Sequence, residues 1–351
     1  MDGDGVNVME ALNEISSRRR CCRCGLMAHV NATNISQDHA TVCPSIDDFR
    51  NQVYSTLYSV IIVLGLAGNG LALAALSRPR RQSSSFYIYL VNLAVSDLLC
   101  VMMLPLRVVY YVKKGQWDYG DVVCRLTSYS LYVNLYCSIY LMTAMSISRF
   151  LAIVFPMKNM QLVKVKCARR VCVCIWLFVC LSTSPFLMNG QHVDSSTNKT
   201  KCFEPPQGQG LHKLLVLNYL SLVLGFALPF LVILLCYAAI IWTLLSRKYT
   251  VRQQQGIGTK AIRMIVVILL TFFICFMPYH VQRTVHLSFL SRVDTTCAER
   301  TTMQKSVVVT LTLAAANSCL DPLLYFFSSK SFHTCSSSTR QSWTDCTKQT
   351  T

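Results

Sequence analysis

The sequence predicts an all-α membrane protein: a seven-transmembrane helix bundle with an extracellular N-terminus and a short cytoplasmic amphipathic helix. Three observations carry that expectation. Seven apolar stretches are each long enough to cross a bilayer, which takes about 20 residues of helix. Hydrophobic residues make up 53% of the 351 and charged residues only 14%, where soluble domains carry about 25%. The net charge of +17 lies in short basic runs between the apolar stretches rather than on one nucleic-acid-binding face.

The stretches span residues 53–76, 86–112, 122–155, 167–188, 214–245, 262–290 and 303–327. Pro105, Pro185, Pro229, Pro278 and Pro322 fall inside them, as lipid-embedded helices allow when neighbours satisfy the freed carbonyls. The organisation expected is an extracellular segment 1–50, a membrane domain 51–330 and a cytoplasmic tail 331–351. No cationic-then-apolar leader opens the chain, so the first span is expected to act as its own insertion signal.

Orientation follows from loop charge. With the N-terminus outside, the inner loops hold Arg78, Arg80, Arg81, Lys158, Lys164, Lys166, Arg169, Arg170, Arg247, Lys248, Arg252, Lys260 and Arg263. The outer loops hold only Lys113, Lys114, Lys199, Lys201, Lys213, Arg292, Arg300 and Lys305, as the positive-inside rule requires. The sequons at Asn31, Asn34 and Asn198 need the same outer side for glycosylation. Arg149 lies 25 residues after Cys124, about 37 Å of helix at 1.5 Å per residue. It is therefore expected at the cytoplasmic mouth, where its charge can reach water or a partner.

Several residues suggest chemistry. Arg107 follows Asp97 by ten residues, about 15 Å along one helix, which puts it near the outer boundary. It either snorkels to headgroups or turns into the bundle. Arg283, His286, Gln304 and Lys305 lie at the same mouth. Tyr58, Tyr132, Tyr136 and Tyr279 either wall a pocket or simply pack. Intramembrane Asp97 and Asp321 favour a cation or a shared proton between them, or a water-filled polar network. No metalloprotease, Walker or nucleophile-elbow motif appears, so an enzyme is not expected. A retinal pump would want a lysine deep in the last span, and a transporter would be expected to show internal repeats; neither feature is seen. In the tail, Phe326, Phe327 and Phe332 suggest the interfacial helix, with Cys335 placed for palmitoylation.

Gly68-Asn69, LAVSD ending at Asp97, Cys124, Arg149, Trp176, Pro229, Tyr237, CFMP at 275–278 and DPLLY at 321–325 stand in order and at family spacing. In them the chain resembles the rhodopsin-like G-protein-coupled receptors. The runs IDDFRNQVYSTLYS (46–59), LPLRVVYYVKKG (104–115), LYVNLYCSI (131–139), TKCFEPPQ (200–207), FMPYHVQRTVHLSFL (276–290) and MQKSVVVTL (303–311) look like the cysteinyl leukotriene receptors, type 1 more than type 2.

That resemblance implies a plasma-membrane receptor for a cysteinyl leukotriene, coupled to a heterotrimeric G protein of the Gq class and met by receptor kinases and arrestin. The alternatives are a receptor for another anionic mediator, a nucleotide or an oxidised fatty acid, or a small transporter. It implies ligand contacts at Tyr58, Arg107, Tyr132, Tyr136, Tyr279, Arg283 and Gln304, and G-protein coupling through Arg149, Tyr237 and Tyr325. Asp97, Asn134, Ser138, Asn317 and Asp321 would hold a sodium ion as the one added cofactor. Disulfides would pair Cys124 with Cys202 and Cys43 with Cys297. Three extracellular cysteines, Cys21, Cys22 and Cys24, are then left over, and a start at Met27 would remove them. The chain departs from the family pattern at Ser148, where an acidic residue usually precedes Arg149, at Phe150, and at His333-Thr334-Cys335. Without that acid, resting signalling is expected to be slightly raised, unless apolar packing around Phe150 compensates.

Overall fold

Seven helices of spanning length form, as the apolar stretches require. The computed structural model describes residues 44–77, 85–155, 165–188, 190–195, 197–203, 211–246, 252–290 and 295–328, all within the unit Cys43–Thr351. Helix α1 is Asp47–Leu76, α2 Ser85–Val112 and α3 Gly120–Val154. Helix α4 is Val165–Thr183, drawn out by a 3-10 turn, Ser184–Met188, that contains Pro185. Helix α5 runs through Leu211–Leu220, Ser221–Ala227 and Leu228–Ser246. Helix α6 comprises Arg252–Thr271, Phe272–Phe276 and Met277–Leu290, and α7 comprises Cys297–Ala315 and Asn317–Ser328.

Every helix starts ahead of its apolar stretch, most clearly α1, α6 and α7; α6 begins at Arg252, ten residues before residue 262. α1 begins at Asp47, where Asp47 and Asp48 sit in the first turn and suit the positive end of the helix dipole. α7 begins at Cys297 behind a capping box: the Thr296 hydroxyl accepts from the Glu299 amide, and the Glu299 carboxylate accepts from the Thr296 amide. Polar residues beyond the bilayer edge extend these helices, and hydropathy does not see them.

Prolines set the irregularities. The middle segments of α5 and α6, Ser221–Ala227 and Phe272–Phe276, are π-helical, and each ends two residues before a proline, Pro229 and Pro278. A proline has no N–H to give and crowds the carbonyl four residues back, so the preceding turn widens. In α7, Pro322 likewise cannot bond the Ser318 carbonyl. The Asn69 amide of α1 donates to that oxygen instead, at 2.8 Å. Gly68 lets α1 come this close, since a Cβ there would lie 2.7 Å from the Pro322 ring.

α4 is the least enclosed span, 22% of its apolar window being buried, against 50% for α2, α6 and α7. Exposed apolar side chains such as Leu181, Trp242 and Leu245 match a lipid-facing surface. Outside the spans, β1 (His192–Asp194) pairs antiparallel with β2 (Lys199–Lys201), in the register His192 to Lys201. Strands of three residues carry no readable alternation, so hydropathy patterning did not announce this hairpin. The Cys124–Cys202 disulfide ties it to the outer end of α3, and the Trp117 amide donates to the Thr200 carbonyl at 2.9 Å. Arg125 of α3 also binds Asp121 at 2.6 Å and the Leu187 carbonyl at 2.6 Å, which ties α3 to the 3-10 turn at the end of α4.

Candidate functional site

Two arginines in the outer half of the bundle define the site. Arg107 of α2 is 4% exposed, so it turns into the bundle rather than snorkelling. Its guanidinium lies 4.0 Å over the Phe203 ring, within electrostatic range of Tyr54, Tyr58, Tyr111 and Tyr132. Its Nε has no hydrogen-bond partner, and the buried Tyr58 hydroxyl has none either. Tyr54 stacks on Tyr58 at 5.0 Å and packs against Tyr111 at 4.6 Å, so one aromatic wall encloses the cation.

Arg283 of α6 donates to the Tyr279 hydroxyl at 2.6 Å. Its guanidinium lies 5.4 Å from the Phe186 ring and 5.6 Å from that of Tyr132, and these two rings stack at 3.7 Å. Tyr132 thus lies beside Arg283 and within electrostatic range of Arg107. Tyr136, one turn further along α3, shares a hydrogen bond with Ser221 of the α5 π-helical segment. Neither arginine has a carboxylate partner among the described residues. A buried cation without an anion is costly, and cation–π contacts recover only part of that cost. What the arrangement can do chemically is hold an elongated, apolar anion.

Gln304 and Lys305 are exposed on α7, and Lys305 lies 5.4 Å from the Phe49 ring; neither joins the arginines. His286 is half-buried. Outside the spans, Lys113 and Asp118 pair at 2.7 Å, and that hydrogen bond holds the Asp118 carboxyl below the usual carboxylate range. Sequence reasoning missed Tyr54, Tyr111, Phe186 and Phe203. Tyr54 lies one helical turn from Tyr58, and Phe203 follows Cys202; both spacings were visible signals.

Deeper in the bundle, Asp97, Asn134, Ser138, Asn317 and Asp321 come together, none more than 2% exposed. Asn134 spends its amide on Asp97 at 2.8 Å. Asp97 Oδ2, both Asp321 oxygens and Ser138 Oγ have no protein partner. Three elements thus supply hard, buried oxygen acceptors, two of the groups being carboxylates. That donor set fits a small hard cation or a proton shared by the aspartates.

The family model described as "7 transmembrane receptor (rhodopsin family)" matches residues 68–325. The chain belongs to that family. The receptor is 55% identical over 300 residues to the human "Cysteinyl leukotriene receptor 1", covering 85% of this chain and 88% of that one. It is 38% identical over 288 residues to the mouse "Cysteinyl leukotriene receptor 2", covering 82% and 91%. With the human "Uracil nucleotide/cysteinyl leukotriene receptor" the identity is 35% over 301 residues, covering 86% and 80%. The receptor is accordingly a multi-pass plasma-membrane protein, and its family is not a family of enzymes.

At the inner end of the receptor, Tyr237 of α5 shares a hydrogen bond with Ser146 of α3 at 2.7 Å. Tyr325 of α7 donates to the Leu90 carbonyl of α2 at 3.1 Å. Arg149 stands in the last turns of α3 with its Nε unpartnered. Asn198 is exposed in the β1–β2 turn, with a φ of 52° that asparagine tolerates. Cys297 is disulfide-bonded. Cys43, Asn31, Asn34, Cys335 and the expected amphipathic helix lie outside the described residues.

Proposed function

We propose that the receptor binds a cysteinyl leukotriene from the outer side and passes the signal to a heterotrimeric G protein of the Gq class, with calcium release as the result. It acts as a receptor and carries out no reaction. The supporting observation is the pair of arginines, Arg107 and Arg283, without a carboxylate partner among the described residues and set among aromatic rings. A ligand with carboxylates and a long polyene suits this site: its anions answer the two cations and its tail lies along the rings. The names of the 55% and 38% identical relatives point the same way.

A nucleotide would use the same cations, but its phosphates and ribose would leave much of the aromatic wall unfilled. Calcium release in transfected cells separates the readings. Cysteinyl leukotrienes should act at concentrations well below any effect of uridine nucleotides, and labelled leukotriene should not accumulate in the cells. A nucleotide response without a leukotriene response would overturn the ligand, and uptake without a calcium signal would overturn the receptor role.

In this reading residues 1–50 lie outside, and the Ser/Thr-rich tail (Ser336 to Thr344) is the target of receptor kinases and arrestin. Asp97, Ser138 and Asp321 would hold sodium, with Asn134 orienting Asp97, and the ion would supply a positive charge that stabilises the resting packing. Raising NaCl in place of choline chloride should then lower agonist affinity several-fold in membranes, and Asp97→Asn should abolish that difference. Equal salt sensitivity in the variant would remove sodium from the site.

A further inference from the structure

Arg149 needs a partner, and no described residue near the inner mouth offers it an acid. There is no Asp or Glu from residue 49 to 96, from 122 to 193 or from 205 to 293. Those stretches include the inner half of α3, all of α4, α5 and α6, and the loops on the inner side. Among the described residues the acids inside the bundle, Asp97 and Asp321, belong to the central cluster. No ion pair with a described residue therefore holds Arg149 in the resting bundle.

An aromatic ring does. The Arg149 guanidinium lies 4.0 Å over the centre of the Phe86 ring, in the first turn of α2, and Phe86 is only 6% exposed. One turn on, the equally buried Tyr89 lies near Ser148. Residues three apart share one helix face. A single face of α2 therefore lies against the Ser148-Arg149 pair, and its Phe86 ring holds the arginine. Phe150 is not part of this grip; it packs edge-on against Phe155 at 5.7 Å.

We propose that Phe86 is the positioning residue for Arg149: its ring holds the guanidinium against α2 in the resting receptor, in place of the acidic neighbour that the chain lacks. The inference rests on the reading of Arg149 as a G-protein contact. A carboxylate lock weakens on protonation and in salt. A ring face does neither, so resting output set by Phe86 stays level as the cytosol acidifies. The grip also replaces the expectation of raised resting signalling, because the absent acid leaves no absent restraint.

The test is ligand-free inositol phosphate accumulation at matched surface expression. Phe86→Leu keeps an apolar side chain but removes the ring, and it should raise resting output about threefold or more. It should also raise agonist affinity in membranes stripped of G protein, as a population shift requires. Phe86→Trp, which keeps a π face, should hold output below that of Phe86→Leu. Phenylalanines with one, two and three fluorines at position 86 should raise output in steps as the face loses its negative potential, a trend that mere packing would not give. Resting output in Phe86→Leu at or below wild type, or a flat fluorine series, would overturn the proposal. Arg149→Ala serves as the separate control: a variant that still signals on agonist would defeat the coupling reading itself, whatever Phe86 does.

Discussion

Arg107→Ala is expected to weaken the leukotriene response by about ten- to a hundredfold. A charge-assisted hydrogen bond contributes about 1.5–3 kcal/mol, and each 1.4 kcal/mol is a factor of ten. Arg107 is buried and has no carboxylate partner among the described residues, so the ligand anion would answer its charge. The same substitution should raise the melting temperature of the ligand-free receptor, because it removes an uncompensated buried charge. Arg107→Lys keeps the charge but not the planar contact with Phe203, and should recover only part of the response. Tyr132→Phe removes one neutral hydroxyl and should cost about 1 kcal/mol. Concentration–response curves at matched surface expression, with thermal unfolding of the purified receptor, check these outcomes together. Unchanged potency with a lowered melting temperature would make Arg107 a packing residue.

Cys202→Ala should damage both stability and binding. The Cys124–Cys202 disulfide closes a loop with a sequence separation of 78, and losing such a bridge costs about 2–4 kcal/mol. It also fixes the end of the β1–β2 hairpin, where the next residue, Phe203, covers Arg107 and packs on Tyr110 at 5.0 Å and Trp117 at 5.3 Å. Without the bridge the ring leaves the cation and the outer wall of the site opens. Phe203→Leu separates the two effects: it should lower ligand affinity a few-fold while leaving the melting temperature close to wild type. Thermal unfolding and labelled-ligand saturation distinguish them, and an unchanged affinity in both variants would remove Phe203 from the site.

Much of the inner machinery was legible because it is carried by single residues at fixed spacing. Asp97 and Asp321 could be read as a central pair, since a carboxylate in an apolar helix has nowhere else to be satisfied. Arg149 could be placed at the inner mouth from helical rise alone. Hydropathy gave seven spans, and these formed at nearly the expected places, except where the polar turns of α1, α6 and α7 run past the bilayer edge.

Proline positions were visible too, but not their consequences. Whether a proline kinks a helix, widens it to a π turn or lends its freed carbonyl to a neighbour depends on what packs against it. Asn69 answers Pro322 only because Gly68 lets α1 approach α7.

By itself, then, the sequence determined that this chain crosses a membrane seven times, which charges its bilayer must tolerate, and that no acid stands beside Arg149. The tertiary structure alone decided where those charges go. It turned Arg107 inward under Phe203, set the stacked Tyr132 and Phe186 rings beside Arg283, and laid Arg149 on Phe86. The reason is physical. Hydropathy and helical rise are properties of consecutive residues, whereas a cation–π contact depends on the distance between a guanidinium and a ring on different elements. That distance is set by how the helices pack, and the apolar residues that tune the packing look alike in a sequence.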